Sequence, residues 1–295
     1  MTDDEWRLVQ PNLFGPALPA VEPRSTFRWD HDQRGRCRTW MAHSSQALAI
    51  DVFGYLKATE TRHRNVVFDE LASVLSLPAG GDWSVDLEWV DPRNRLREHP
   101  KHPTQVDVLA SSEKTRILVE CKFAEYRFSQ CSQTNPIEGK PQCNGNYALQ
   151  RNPLNGDQSR CALSGKGIRY WDVVPDVFEL RNDIDHAPCP FRSELYQWMR
   201  NVVLGQAISE GGELKTGFVA MYAAGPGLWP AAEIPLLAGK FQTMLRPGSV
   251  AFAAISYQQF LQQSLQALRR AECHAAVWES LIEWVEAKIG RVAQS

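Results

Sequence analysis

The chain has 295 residues, 43% of them hydrophobic, with 32 basic and 34 acidic side chains for a net charge of −2. That length and apolar share suit one large domain, or a domain with an elaboration, and no apolar run reaches the ~18 residues that cross a bilayer. The slight negative charge gives no general pull on phosphate, so nucleic-acid binding has to rest on local clusters of Lys and Arg.

The opening MTDDEW is acidic and lacks an apolar signal segment, which predicts a cytoplasmic protein. Residues 1–40 read as an irregular, Pro-rich N-terminal arm anchored by Trp6, Phe14, Phe27 and Trp29, with Arg24, Arg28, Arg34, Arg36 and Arg38 crowded into it. Residues 41–295 form the main domain. A helix over about 44–56 has Ser44 or Ser45 as N-cap. Its apolar set (Leu48, Ala49, Ile50, Val52, Phe53, Tyr55) is broad enough for a buried element. A second helix over about 66–75 ends before Pro78 and Gly80-Gly81. The run WSVDLEWV (83–90) alternates as a strand, with Val85, Leu87 and Trp89 on one face and Asp86 and Glu88 on the other. Arg93, Arg95, Arg97 and Lys101, with His99 and His102, fill the next loop, which is either a nucleic-acid contact or a solvated charged loop.

The stretch PTQVDVLASSEKTRILVECKFAE (103–125) reads as two strands joined by a polar turn. Val106, Val108 and Ala110 alternate on the first, and Ile117, Val119, Cys121 and Phe123 on the second. Asp107 therefore faces the other way, as do Glu120 and Lys122. A turn centred on Glu113-Lys114 sets Asp107 across from Glu120. Facing carboxylates repel, which a purely structural sheet avoids, and a hard divalent cation with oxygen ligands removes the objection. Glu-x-Lys occurs four times, at 120–122, 138–140, 213–215 and 286–288, but only Glu120 lies in an apolar strand with an Asp-bearing strand before it.

Asp107 with Glu120-Cys121-Lys122 resembles the PD-(D/E)XK nuclease superfamily, whose motif is an acid on one strand and Glu/Asp-x-Lys on the next; here Pro103 precedes the acid by four positions. The string HSSQALAIDVFGYL (43–56) resembles the opening helix of a restriction-endonuclease-like branch of uncharacterised bacterial proteins. The resemblance implies that Asp107, Glu120 and the backbone carbonyl of Cys121 bind Mg2+ or Mn2+, with Lys122 at the reacting phosphate. It also implies a further carboxylate from the first helix or strand, for which Glu88 is the candidate and Asp86 and Glu70 are rivals. His43, Ser45 and Gln46 either face the site or DNA, or belong to plain capping and core.

Residues 126–168 are rich in Gly, Asn, Gln, Ser and Pro without periodicity, and the cysteine-containing insertion extends to about 190. Cys131, Cys143 and Cys161 fall in this stretch and Cys189 follows it. Intervals of eleven, seventeen and twenty-seven residues lack a Cys-x-x-Cys knuckle. They are either ligands of a structural Zn2+ or simple thiols. Seven cysteines, odd in number and without close pairs, do not suit a disulfide framework. In GIRYWDVVPDVFEL (167–180), Arg169, Tyr170 and Trp171 either grip nucleic acid or pack. Beyond come a helix over 193–208, a strand over 218–223, a Gly/Pro turn, a strand over 250–256, and helices over 257–268 and 274–289.

The expected fold is α/β, a restriction-endonuclease-like core with a mixed central sheet flanked by helices. The expected activity is Mg2+-dependent phosphodiester hydrolysis of DNA, as a restriction-type endonuclease acting as a monomer or homodimer and without a membrane. Arg93, Arg95, Lys101, Arg169 and Gln46 are candidate nucleic-acid contacts. Two other classes stay open: a non-catalytic nucleic-acid-binding module on this fold, and a zinc-stapled interaction protein.

Overall fold

The computed structural model describes residues 1–125, 128–134, 136–137, 140–141, 143, 161–180 and 189–294. The chain opens with α1 (Asp3–Val9), where irregular structure is expected from the prolines. Thr2 and Glu5 form a reciprocal capping box at its start, and Asp3, Asp4 and Glu5 complement the helix dipole. Past α1 the arm packs onto the domain through Leu13, Phe14, Ala17 and Val21. Trp29 takes Trp6 and Phe27 against its ring at 6.1 and 4.5 Å between centroids.

Ser44 caps α2 (Ser45–Ala49) by accepting the Ala47 N–H at 3.2 Å. The helix runs through a π-helical stretch (Ile50–Gly54) into α3 (Tyr55–Ala58). Asp51, fully buried in that stretch, accepts from the Phe14 N–H at 2.7 Å, Trp284 Nε1 at 3.0 Å and Lys288 Nζ at 2.6 Å. Lys288 also donates to the Asn12 carbonyl at 2.6 Å. One buried ion pair thus pins the arm, the first long helix and the C-terminal helix together, and the Glu286-x-Lys288 triplet serves the fold. Next, α4 (Thr61–Val74) begins five residues before its apolar period, because its first turn is polar.

The sheet comprises β1 (Ser84–Val90), β2 (Gln105–Ser111), β3 (Thr115–Lys122), β6 (Lys215–Tyr222) and β7 (Ala251–Ser256), in the order β1-β2-β3-β6-β7. The first three pair antiparallel; β3, β6 and β7 pair parallel. This is the mixed α/β sheet expected. Between β3 and β6 lie a two-stranded ribbon, β4 (Pro136–Ile137) with β5 (Lys140–Pro141), then α5 (Ala162–Gly165), α6 (Tyr170–Val177) and α7 (Tyr196–Ile208). A crossover helix, α8 (Trp229–Gln242), joins β6 to β7 and has no counterpart in the sequence expectations. Pro230 in its first turn and Pro235 within it hide the helical pattern. The chain closes with α9 (Tyr257–Arg270) and α10 (Ala276–Ala293).

Each face of the sheet carries its own core. Ile117, Val119 and Cys121 of β3, with Phe123 just after it, pack with α2–α4, α9 and α10. Leu118 packs with Phe218 and the apolar faces of α6, α7 and α8. On that second face, at the end of β3, lie Glu120 and Lys122. Gly217 on β6 allows Leu75 and Leu77 to approach, since a Cβ there would stand 2.7–2.8 Å from their methyls. Among the described residues no helix is long and apolar enough to cross a membrane.

Candidate active site

The turn between β2 and β3 closes with Ser112 N–H to Thr115 carbonyl at 2.9 Å, so Glu113-Lys114 is its centre as the sequence predicts. Val108 pairs with Val119 at the end of that register, one step short of Asp107 and Glu120, and the charge of Glu120 acts on Asp107. In β1, Leu87 pairs with Val108 and Trp89 with Val106, which sets Glu88 level with Asp107. Three acids from three adjacent strands therefore share one row. The sheet is distorted there. Glu88 has φ +53, a left-handed conformation disfavoured for a residue with a Cβ. At Asp107 the alternation of β2 breaks, with Val106 packing in the second core and Val108 in the first. Where the β2–β3 pairing stops, the Asp107 carboxylate accepts the Cys121 N–H at 2.7 Å.

These residues line a cavity of about 420 Å³ that includes Glu88, Asp107, Glu120, Lys122, Gln46 and Gln197. Glu120, only 1% exposed, accepts from Lys122 Nζ at 2.8 Å, Asn201 Nδ2 at 2.8 Å, and Gln197 Nε2. Glu88 accepts from Gln46 Nε2 at 2.7 Å and from Gln105 Nε2. Burial raises the Glu88 carboxyl to about 7, against the lowering effect of the Gln46 and Gln105 amides and with help from the charges of Glu120 and Asp30. Burial, then the charges of Glu120 and Glu88, holds Asp107 well above the usual carboxylate range. For Lys122, burial disfavours the ammonium but the carboxylates of Glu120, Glu125 and Asp107 outweigh it, and the pKa rises. The site thus sets three carboxyl groups beside one lysine, and two of the three resist ionising until more positive charge is present.

Hard oxygen donors clustered in this way fit a divalent cation, which would favour their ionised forms. So do the buried side-chain oxygens of Gln197 and Asn201, which have no hydrogen-bond partner beside Glu120. Among the described residues no group of three or more His, Cys, Asp or Glu side chains is ready-formed to hold an ion. The physical reason is that each carboxylate here is turned to its own donors.

A family model described as "Restriction Endonuclease associating with ARP" matches residues 21–288. The chain belongs to that family. In this restriction endonuclease family member the matched span holds all five sheet strands and the helices that carry Gln46, Gln197 and Asn201. The mixed sheet with helices on both faces is a restriction-endonuclease-like core. No curated protein and no solved structure matches the chain.

The other sequence candidates scatter around this family member's site. Asp86 is exposed opposite Leu109, and Glu70 pairs with Arg270 at 2.8 Å on the surface, so neither rival reaches Asp107. Gln46 does not offer itself to nucleic acid. Its amide donates to Glu88 and the Arg28 carbonyl, and its oxygen accepts from the Asp30 N–H and Thr39. Arg95 bonds Asp91 at 2.6 Å, and with Arg28 and Lys101 it lines a second cavity of about 480 Å³. Gln105 borders both cavities. Arg93 is exposed and lines neither. Arg169 bonds Asp172 at 2.6 Å in the first turn of α6, while Tyr170 and Trp171 are buried in the second core. Cys121 has its side chain in the first core, as expected of a residue that does not act as nucleophile.

Sequence reasoning missed Gln105, Gln197 and Asn201. Only the i, i+4 spacing of the last two, which puts both amides on one face of α7, marks them in the sequence.

Proposed function

We propose that the protein is a metal-dependent nuclease that hydrolyses DNA phosphodiester bonds through a PD-(D/E)XK-type site. The observation that supports this reading best is the row of Glu88, Asp107 and Glu120 beside Lys122, with two of the acids driven up in pKa. A structural sheet gains nothing from three clustered acids, whereas a divalent cation makes all three ionised forms favourable. Glu88, Asp107 and Glu120 would hold one Mg2+ or Mn2+, with the Cys121 carbonyl as a further oxygen donor. When bound, that ion supplies charge neutralisation at the phosphate and activation of water.

The chain's own residues do the rest. Asn201 and Gln197 fix the Glu120 carboxylate, and Gln46 and Gln105 fix Glu88, as outer partners do around metal ligands. Lys122 presents its ammonium on the same cavity and stabilises charge developing on the phosphate. Arg28 and Lys101, across Gln105, supply positive charge for the DNA backbone.

Purified protein incubated with supercoiled plasmid is expected to nick or linearise it in Mg2+ or Mn2+ and to leave it intact in EDTA. Cleavage undiminished by chelator overturns the metal mechanism, and absence of cleavage with either ion overturns the hydrolytic one.

A further inference from the structure

Cys131, Cys161 and Cys189 of the segment between β3 and α7 lie against the same core and Cys143 follows the β4–β5 ribbon within that segment, and we propose that the four bind one zinc ion that staples this segment to the core. The proposal does not rest on the nuclease reading. The Cys131 N–H donates to the Arg192 carbonyl at 3.2 Å, and the Arg192 N–H donates to the Cys189 carbonyl at 3.3 Å. Those bonds tie the start of the segment to its end. Cys161 is the N-cap of α5 and is buried in the second core, against which Cys131 and Cys189 also pack. Cys143 follows the β4–β5 ribbon, which folds the chain back so that Cys131 and Cys143 flank it.

The thiols lie within electrostatic reach of one another. Burial raises these thiols while local backbone hydrogen bonds lower them, and beyond that Cys131 is pushed up by Cys161 and Cys143, Cys161 by Cys143, and Cys189 by Cys161, Cys143 and Cys131. Every pair among the four is thus coupled. Among the described residues no disulfide joins any of them.

Two-residue strands and a four-residue helix cannot hold a fold by themselves. A quartet of thiolates around Zn2+ supplies folding free energy directly, with Zn–S distances of about 2.3 Å. Among the described residues no ligand group is closed on a point without the ion, so metal binding draws the side chains in as the thiols lose their protons. The staple lies just before α7, since Arg192 precedes Tyr196 by four residues and the charge of Cys131 is felt at Tyr196. It therefore fixes the end of the helix that carries Gln197 and Asn201 to Glu120.

The test is elemental analysis of the full chain purified without added metal. About one zinc per chain is expected, released by a mercurial that modifies thiols. Cys143→Ser and Cys161→Ser are expected to lose it, while Cys273→Ser and Asp107→Asn keep it. If the serine variants do not fold, cobalt exchanged into the wild-type protein is the second reading, with the expected visible absorption of a tetrahedral tetrathiolate. Zinc-free protein that still unfolds cooperatively overturns the proposal. So do iron in place of zinc, full zinc content in both serine variants, and a cobalt spectrum without thiolate bands.

Discussion

Glu88→Gln should change the stability of the metal-free protein with a sign set by pH. Burial is the main cause that takes Glu88 from 4.5 to about 7 in the folded state. An acid with a raised folded pKa holds more protons folded than unfolded between those two values, so the wild type loses stability as pH climbs through them. The full loss, complete above about pH 7, amounts to about 3 kcal/mol. Gln at this position escapes that loss but meets the Gln46 and Gln105 amides with one oxygen instead of two, which costs about 1 kcal/mol. In EDTA the variant is therefore about 2 kcal/mol more stable than the wild type at pH 8, and about 1 kcal/mol less stable near pH 4.5. Urea melts at pH 4.5, 6 and 8 with linear extrapolation measure this directly. A stability difference independent of pH, or a variant less stable at pH 8, refutes the reasoning that Glu88 is an ionised acid held at a cost.

Asp107→Asn keeps an oxygen for the Cys121 N–H and removes a charge that Glu120 and Glu88 oppose. Its urea midpoint in EDTA at pH 8 should hold or rise, while cleavage falls by more than the roughly 10–100-fold that loss of an outer partner costs. A clearly less stable variant that still cuts would assign Asp107 a structural role. Asn201→Leu removes such an outer partner of Glu120 and should lower cleavage by about 10–100-fold; unchanged cleavage would free Glu120 from dependence on Asn201. Lys288→Met leaves Asp51 buried without its cation and should cost about 3–5 kcal/mol. The cost should shrink at low pH because burial already raises Asp51, and a urea midpoint moved by less than the equivalent of about 1 kcal/mol would show that the pair does not clamp the fold.

The hairpin was legible because the chemistry of β2 and β3 is local. Alternation fixed the faces of β3 and of Val108 and Ala110 but not that of Val106, which crosses to the second core, and the polar Glu113-Lys114 turn fixed the register that points Asp107 at Glu120. Glu88 was reachable as the inward acid of a strand, but its left-handed backbone and its level with Asp107 depend on how β1 pairs, which periodicity does not encode. Gln105, Gln197 and Asn201 were out of reach. Amides on a strand end or a helix face read as surface until the fold brings the Glu120 carboxylate, 77 and 81 residues away in the chain, against Gln197 and Asn201. The helix α8 stayed hidden because Pro235 masks a pattern that packing against β6 and β7 overrides. The basic loop reads as one block in the sequence, but Asp91 engages its Arg95, and at the cavity its Lys101 stands with Arg28 of the N-terminal arm.

The central claim is that Glu88, Asp107 and Glu120 share one divalent cation. Calorimetric titration of Mn2+ into the full chain at pH 8 tests it without any assumption about DNA target. Wild type should bind about one Mn2+ per chain with release of protons from the raised acids, and Asp107→Asn and Glu120→Gln should each abolish that binding while remaining folded. Binding of equal strength in wild type and both variants would place the ion elsewhere and contradict the account.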